Sequence, residues 1–361
     1  MTDFRIRWKQ AVVESGLAAV GIIPANPPKT WSHYRYIIAH GVAPELGYLT
    51  THLALKKDYE AILPGTRYII CCVAVLPTWP EQMPCKYARF CAIGDYHAVM
   101  RERMASIWRV LAPYYPDANV RYCVDSAPVL ERELSVRAGL GGIGFNHLMI
   151  HPELGSFVIL GEIFVDVDLR NMAEMLPIRD DGDRFDGELL VPGGVNCCRP
   201  GERCCVRACP TGALSEDGYD FNRCLAYWTT QHKGEIPEFY AKAMGDVVWG
   251  CDRCQMGCPR NKRAANAGVS VSPLISLSMN EILSLSARQL GKRLSGTPIA
   301  DAHPYLLQRN VCIVIGNTGD ARYVEELVKI VENHPSEWVR GAAMRALRCL
   351  HVSGENVLCR V

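Results

Sequence analysis

Apolar runs bounded by turn residues mark the strands of the first half of the chain. The clearest run is Tyr68–Leu76, which is short, rich in β-branched residues, and flanked by Leu63–Thr66 and Pro77. Such a run predicts a buried strand. Val120–Val124 and Phe157–Val167 predict further strands of the same sheet.

One segment between these strands has helical spacing. In Asp95–Leu111, apolar residues recur every three or four positions, which predicts an amphipathic helix. Strands alternating with helices predict a sheet covered by helices. We therefore expect an α+β protein whose first segment is an α/β domain.

The last part of the chain carries a weak internal repeat. Arg309–Gly316 aligns with Arg340–Leu347, a shift of 31 residues (340 minus 309). Thr318–Asp320 predicts a turn and a helix N-cap between the two copies. Paired helices at this period predict a short helical solenoid of the HEAT type. One helical face would be lined by Val324, Leu327, Val328 and Val331.

Composition and charge narrow the classes of protein to which this chain can belong. The 361 residues include 39 basic and 38 acidic ones, so the net charge of +1 excludes binding to nucleic acid by bulk charge alone. Glu14 interrupts the apolar stretch Ala11–Ala25, and Tyr68–Leu76 is too short to span a bilayer. We expect a cytoplasmic protein without a membrane partner. Its 17 cysteines then need a role other than disulfides.

Nine cysteines lie between Asn196 and Pro259, and two of their motifs end in Cys-x3-Cys-Pro. The first is Cys205–Pro210 and the second is Cys251–Pro259. Paired motifs of this kind interlock around two [4Fe–4S] clusters in bacterial ferredoxins. A zinc ribbon, the alternative, would show two CxxC pairs without the repeated Cys-Pro.

The ferredoxin pattern also predicts the ligands. One predicted set is Cys209, Cys224, Cys251 and Cys254. The other set begins with Cys205 and Cys258. Its remaining two ligands come from Cys197, Cys198 and Cys204, of which we favour Cys198 and Cys204. The spacing departs from the ferredoxin pattern because position 202 is Glu.

Two adjacent clusters imply a redox centre that they serve. The Gly-rich stretch Gly139–Gly144 lacks the acidic residue of a dinucleotide site at the required distance. A tight backbone loop against a flat cofactor is the better interpretation.

Nine segments of the chain carry a resemblance to a known family: Glu45–Tyr48, Leu63–Arg67, Asp95–His97, Asp125–Arg132, Arg137–Asn146, Leu160–Ile163, Cys209–Ala213, Gly250–Gln255 and Cys258–Asn261. On these segments the chain resembles the epoxyqueuosine reductase family over nearly its whole length.

The resemblance implies reduction of epoxyqueuosine to queuosine in a tRNA anticodon loop. It implies cobalamin as a cofactor besides the two clusters, and Asp125 as proton donor, although an N-cap or loop-ordering role is the alternative for Asp125. We expect an unidentified electron donor and a monomer. Cofactor contacts are expected from His97, Ser126, Gly141, Gly144 and Asn146, with a structural role equally open for His97.

The resemblance also implies three segments: a reductive-dehalogenase-like cobalamin domain at 1–185, a ferredoxin-like module at 186–270, and HEAT-like helices at 271–361. The polar stretch Asp180–Gly187 fits the first boundary. In the tail, Arg309 and Arg340 occupy equivalent repeat positions and could form a stripe that contacts RNA phosphates, with a solvated helix face as the alternative.

Two positions depart from the family. Its Gly-rich loop usually reads Gly-Trp-Ile-Gly-Lys-Asn, whereas this chain has Gly142 and Phe145 in place of the Trp and the Lys. A divergent paralogue that reduces another substrate, such as an organohalide, is therefore an alternative. A second alternative is a non-enzymatic ferredoxin-type electron carrier on a HEAT scaffold.

Overall fold

The computed structural model describes residues 2–39, 44–179, 198–199, 201–216, 218–263, 268 and 270–350, and the structural statements below concern these residues. The strands are β1 (Ala19–Pro24), β2 (Tyr68–Val75), β3 (Lys86–Tyr87), β4 (Val120–Cys123), β5 (Gly142–Ile143), β6 (Met149–Ile150), β7 (Val158–Val165), β8 (Leu214–Ser215), β9 (Gly218–Tyr219) and β10 (Val247–Trp249). The helices are α1 (Thr2–Glu14), α2 (Trp31–Ala39), α3 (Leu53–Lys57), α4 (Tyr96–Leu111), α5 (Glu131–Arg137), α6 (Cys204–Ala208), α7 (Leu225–Thr230), α8 (Glu238–Met244), α9 (Arg253–Met256), α10 (Met279–Ser284), α11 (Ala287–Leu294), α12 (Pro304–Thr318), α13 (Val324–Asn333) and α14 (Glu337–Cys349). The predicted boundary Asp180–Gly187, Cys197 and Cys359 lie outside the described residues.

The chain forms two compact units, each built from several segments. The first unit comprises Met1–Leu76, Tyr96–Arg207 and Cys254–Ala267. The second unit comprises Pro77–Asp95, Ala208–Arg253 and Gly268–Val361. The division into segments 1–185, 186–270 and 271–361 stays a prediction.

A four-stranded sheet with the order β1-β2-β7-β4 forms the centre of the first unit. Each neighbouring pair of strands is antiparallel. All eight residues of β2 are buried, as expected for an inner strand covered on both faces. The three strands predicted from apolar runs are therefore confirmed as β2, β4 and β7.

Helices α4 and α5 pack against this sheet. The predicted helix is confirmed as α4, whose apolar residues at helical spacing are buried. Gly161 of β7 faces α4, since a Cβ there would lie 3.0 Å from the sulfur of Met104. Side chains alternate along a strand, so Glu162 points to the opposite face, where α5 packs among buried apolar residues.

Helix α12 is the centre of the second unit, where every residue from Leu306 to Gly316 is buried. It packs against α14 and α10, and α13 packs against α14. Ser278 and Ser286 start α10 and α11 with capping boxes, which satisfy backbone N–H groups at both helix starts.

The repeated segments of the tail both fold as helices. Arg309–Gly316 lies in α12 and Arg340–Leu347 lies in α14. Gly319 ends α12 with a left-handed backbone (φ 70°), and Asp320 accepts a hydrogen bond from the Arg322 N–H, as the predicted turn and cap require. The HEAT-type classification stays a prediction.

The predicted phosphate stripe is wrong for Arg309. This side chain is 0% exposed and cannot reach a phosphate. Its guanidinium donates to the carbonyl oxygens of Trp228, His232 and Gly234 at 2.8–2.9 Å. The residue at the equivalent repeat position, Arg340, donates to a backbone carbonyl of its own unit at 2.7 Å. Within the described ranges, no helix combines the length and apolarity needed to cross a bilayer.

Candidate iron–sulfur sites and acidic loop

Four cysteines of the first unit line one cavity. They are Cys198, Cys204, Cys205 and Cys258. Cys204 and Cys205 open α6, and Cys258 follows α9 in the second Cys-Pro motif. These are the four residues favoured from the sequence for one cluster. The structure therefore brings that predicted set together.

The electrostatics of this cavity suit a metal that binds thiolates. Burial, followed by the neighbouring thiols of Cys198 and Cys258, raises the pKa of Cys205 to about 11. The Cys205 thiol therefore resists ionisation without a cation beside it, and a bound metal reverses that preference. No three described His, Cys, Asp or Glu side chains converge as a single metal ion requires. A cubane cluster has no such requirement, because each thiolate binds a different iron.

Glu202 stands at the position where the ferredoxin pattern has a cysteine, and its carboxylate has other partners. It accepts a hydrogen bond from the Arg199 N–H at 2.9 Å and pairs with Arg260 at 3.4 Å. These contacts hold the loop before α6. Glu202 thus fixes the wall of the cavity. Its carboxylate is engaged with Arg199 and Arg260 and does not take the place of the missing cysteine ligand.

The second predicted set of cysteines is divided between the units. Cys209, Cys224 and Cys251 belong to the second unit, whereas Cys254 belongs to the first. Burial raises the pKa of Cys209, but N–H groups of Leu214, Thr211 and Ala213 outweigh it and lower the pKa. The thiolate form of Cys209 is therefore stabilised by backbone donors. Burial, and further the charge of Cys224, raises the pKa of Cys251.

Asp125 lies in an exposed loop between β4 and α5. Its backbone is left-handed, with φ 47°, which Asp tolerates better than most residues. The hydroxyl of Tyr96 donates a hydrogen bond to Asp125 Oδ2, and His97 Nε2 lies 3.9 Å from the same oxygen. The carboxylate side chain is 59% exposed. It can therefore meet a ligand from solvent while Tyr96 fixes its direction.

Two further carboxyl groups lie behind Asp125. Glu131, at the start of α5, accepts a hydrogen bond from the Asp125 N–H, and burial followed by the charge of Asp125 raises its pKa to about 7. Glu162 of β7 is 0% exposed, and neither carboxyl oxygen has a hydrogen-bond partner among the described residues. Burial, then the charges of Glu131 and Asp125, raises its pKa well above 4.5. The inner carboxyl groups thus favour the protonated form.

The predicted cofactor contacts lie in two places. His97 and the exposed Ser126 accompany Asp125. Gly144 and Asn146 lie in the tight loop between β5 and β6, and Asn146 lines the cysteine cavity. Gly141 packs on the same hairpin, since a Cβ there would lie 2.4 Å from the Ile150 carbonyl oxygen.

Phe145, one of the two departures from the family loop, carries a cation on its ring. The guanidinium carbon of Arg203 lies 3.4 Å from the centre of the Phe145 ring. Such a contact is favourable because the face of an aromatic ring is electronegative. A positive charge therefore stands beside the loop although position 145 has none.

Comparison with known proteins agrees with this geometry. Residues 197–261 match the family described as a 4Fe-4S double cluster binding domain. The epoxyqueuosine reductase of Pseudomonas aeruginosa is 30% identical over 93% of this chain and 91% of its own length. The chain belongs to the epoxyqueuosine reductase family.

Solved structures of epoxyqueuosine reductases have the same fold. The Streptococcus thermophilus enzyme is 22% identical, with a TM-score of 0.80 over 99% of this chain and 93% of its own. An epoxyqueuosine reductase bound to an epoxyqueuosine-modified tRNA-Tyr stem loop is also 22% identical, with a TM-score of 0.76 over 97% of this chain and 90% of its own.

Sequence reasoning gave no role to three residues that lie outside the Asp125 loop but interact with Asp125. Tyr96, Glu131 and Glu162 appeared only within longer similar segments. For Glu162 a signal was present, because it is the one acidic residue of the otherwise apolar strand β7. A lone carboxyl group in a buried strand indicates a group that stays protonated or meets a partner.

Proposed function

We propose that this member of the epoxyqueuosine reductase family reduces epoxyqueuosine to queuosine in a tRNA anticodon loop. The observation that carries the proposal is 30% identity over 91% of an epoxyqueuosine reductase. The exposed Asp125 loop supplies the chemistry. Removing the epoxide oxygen as water consumes two electrons and two protons, and Asp125 is proposed to protonate the departing oxygen.

The thiols fit two [4Fe–4S] clusters. We assign one cluster to Cys198, Cys204, Cys205 and Cys258, which line a common cavity and form no disulfide. The set Cys209, Cys224, Cys251 and Cys254 stays a prediction for the other cluster. When bound, the clusters and cobalamin would supply the two electrons.

Cobalamin is proposed to lie against the exposed face of Asp125. This face offers polar groups that suit the amide side chains of a corrin, namely the Ser126 hydroxyl oxygen and the His97 imidazole, while the Tyr96 hydroxyl is engaged with Asp125. The role of these residues is to bind the cofactor and to orient the Asp125 carboxyl group.

The entry of the modified base is proposed to pass Tyr48 and Arg132. Tyr48 is 57% exposed, and its pKa is raised by burial of its hydroxyl and then by the charge of Asp125. Arg132 is exposed, and its charge lowers the pKa of Tyr48. An aromatic ring and a guanidinium are the usual partners of an unstacked RNA base.

We further propose that the protein works as a monomer in the cytoplasm and receives its electrons from a separate, unidentified donor. The described cysteines are all free, including the five buried ones before residue 180. Free buried thiols in such number suit a reducing compartment.

The test is reduction of a stem loop that carries epoxyqueuosine by anaerobically reduced, cobalamin-loaded protein. Formation of queuosine is measured by mass spectrometry of the nucleosides. Asp125→Asn should lower the rate by ~10²–10⁴-fold, as for other general acids. Asp117→Asn, an exposed aspartate of the first unit, is the matched control. Absence of queuosine with fully loaded protein would contradict the proposal.

A further inference from the structure

The amide nitrogen of Asn146 is an unpartnered donor at the cysteine cavity. Asn146 is 6% exposed and lines the cavity together with Cys198, Cys205 and Cys258. Its Nδ2 has no hydrogen-bond partner among the described residues. An orphaned buried N–H group costs ~1–3 kcal/mol, so a partner for it is expected inside the cavity.

The loop geometry determines which end of the amide meets the cavity. Asn146 Oδ1 accepts a hydrogen bond from the Leu148 N–H at 3.3 Å. The same oxygen lies above Gly144, where a Cβ would come within 2.7 Å of it. Because Oδ1 is turned towards the loop backbone, Nδ2 is the end left for the cavity.

The loop also holds this amide firmly. Gly144 N–H donates to the Leu148 carbonyl at 2.9 Å, and His147 N–H donates to the Gly144 carbonyl at 2.9 Å. The strands on either side, β5 and β6, pair as Gly142 with Ile150 and Ile143 with Met149. The donor therefore keeps its direction whether or not a ligand is bound.

We propose that Asn146 donates an N–H···S hydrogen bond to a sulfur of the cluster bound by Cys198, Cys205 and Cys258, and so raises the reduction potential of that cluster. The proposal rests on the proposed function only for the presence of the cluster. Reduction adds negative charge to the cluster sulfurs, and a fixed donor stabilises that charge. Asn146 is thus a tuning residue of the cluster.

The test is a redox titration of the anaerobic holoenzyme followed by electron paramagnetic resonance. Asn146→Leu removes the donor at similar size, and Asn146→Asp keeps the acceptor for Leu148 but replaces the donor with oxygen. Both should lower the midpoint potential of one cluster, Asp more than Leu. For Leu we expect a tenfold change in the ratio of reduced to oxidised cluster, which corresponds to about 59 mV for one electron.

Two controls accompany the titration. The second cluster in the same molecule should keep its potential, and so should both clusters in Asn171→Leu, which changes an exposed asparagine of the first unit. Unchanged potentials in both Asn146 variants would overturn the proposal.

A measurement on the unmodified sequence covers variants that fail to assemble. With only the side-chain amide nitrogen of asparagine isotope-labelled, so that the Asn261 backbone N–H beside Cys258 gives no signal, electron–nuclear double resonance should detect one coupled nitrogen at the reduced cluster, and its absence would overturn the proposal. Iron content and queuosine formation are measured in parallel. Full iron without queuosine contradicts the proposed reaction, whereas full iron without the shift contradicts only the role of Asn146.

Discussion

Replacing Glu162 with Gln should remove a pH dependence from the stability of the protein. Glu162 is fully buried on β7, and its pKa is raised well above the 4.5 of a free glutamate, first by burial and then by the charges of Glu131 and Asp125. Four other titratable groups face Glu162. They are Cys71 and Cys72 of β2, Cys123 of β4, and Tyr59 in the turn before β2.

The direction of this pH dependence depends on whether the folded or the unfolded state holds the Glu162 proton. Above pH 4.5 the unfolded chain releases the Glu162 proton, whereas the folded chain keeps it. The free energy of unfolding therefore falls by about 1.4 kcal/mol per pH unit until the folded pKa is reached. Between pH 4.5 and pH 7 the loss reaches at most about 3 kcal/mol. The glutamine side chain of Glu162→Gln does not titrate, so the variant lacks this loss.

The assay compares melting temperatures of the anaerobic holoprotein at pH 5.5, 6.5 and 7.5. One kcal/mol corresponds to roughly 2–4 °C, so the variant should gain a few degrees over the parent with each pH unit. Glu131 titrates in the same range in both proteins, and for this reason only the difference between them is interpreted. Glu102→Gln, whose parent side chain is 74% exposed, is the control. Parallel curves for Glu162→Gln and the parent would refute the reasoning.

Three other perturbations test the described contacts. Cys258→Ser should lose about half of the iron, as measured by iron and sulfide analysis, because it removes a ligand of one of two clusters. Arg309→Met should lower the free energy of unfolding by more than ~3 kcal/mol, since it orphans buried carbonyls, whereas Arg340→Met should cost clearly less in the same melting experiment. Gly155→Ala should destabilise the first unit in that experiment as well, because the new Cβ would lie 2.0 Å from Asn261 Oδ1 and φ is +72°.

The sequence predicted those features that depend on local pattern. The apolar run at Tyr68–Leu76 and the helical spacing after Asp95 suffice for β2 and α4, because turn residues and burial act within a few positions. Motif spacing predicted Cys205 and Cys258 for one cluster, and Cys198 and Cys204, favoured among three candidates, line the same cavity in the structure. Arg309 was misassigned, since its burial depends on carbonyl groups about 80 positions earlier in the chain that no local pattern reveals.

The same distinction between local pattern and long-range packing applies to the residues of the candidate site. Asp125 could be predicted from its similar segment, but its hydrogen bond with Tyr96 depends on the approach of α4 to the loop after β4. The orientation of Asn146 likewise depends on a turn that closes only when β5 and β6 pair. Long-range packing fixes such contacts, so they became visible only in the structure.

The stacking of Arg203 on Phe145 has a consequence for comparing members of this family. Where the resemblance leads one to expect a lysine, this chain has Phe145, and the guanidinium on its ring comes from Arg203, 58 residues later (203 minus 145). A position-by-position sequence alignment would count position 145 as a lost positive charge, although Arg203 places a positive charge beside the same position. Positions 145 and 203 should therefore be compared as a pair. A lysine at 145 would set two like charges side by side, whereas lysine at 145 combined with a neutral residue at 203 would again leave one positive charge at this place. Recognising which family members share a function therefore requires comparing charges in space as well as residues in sequence.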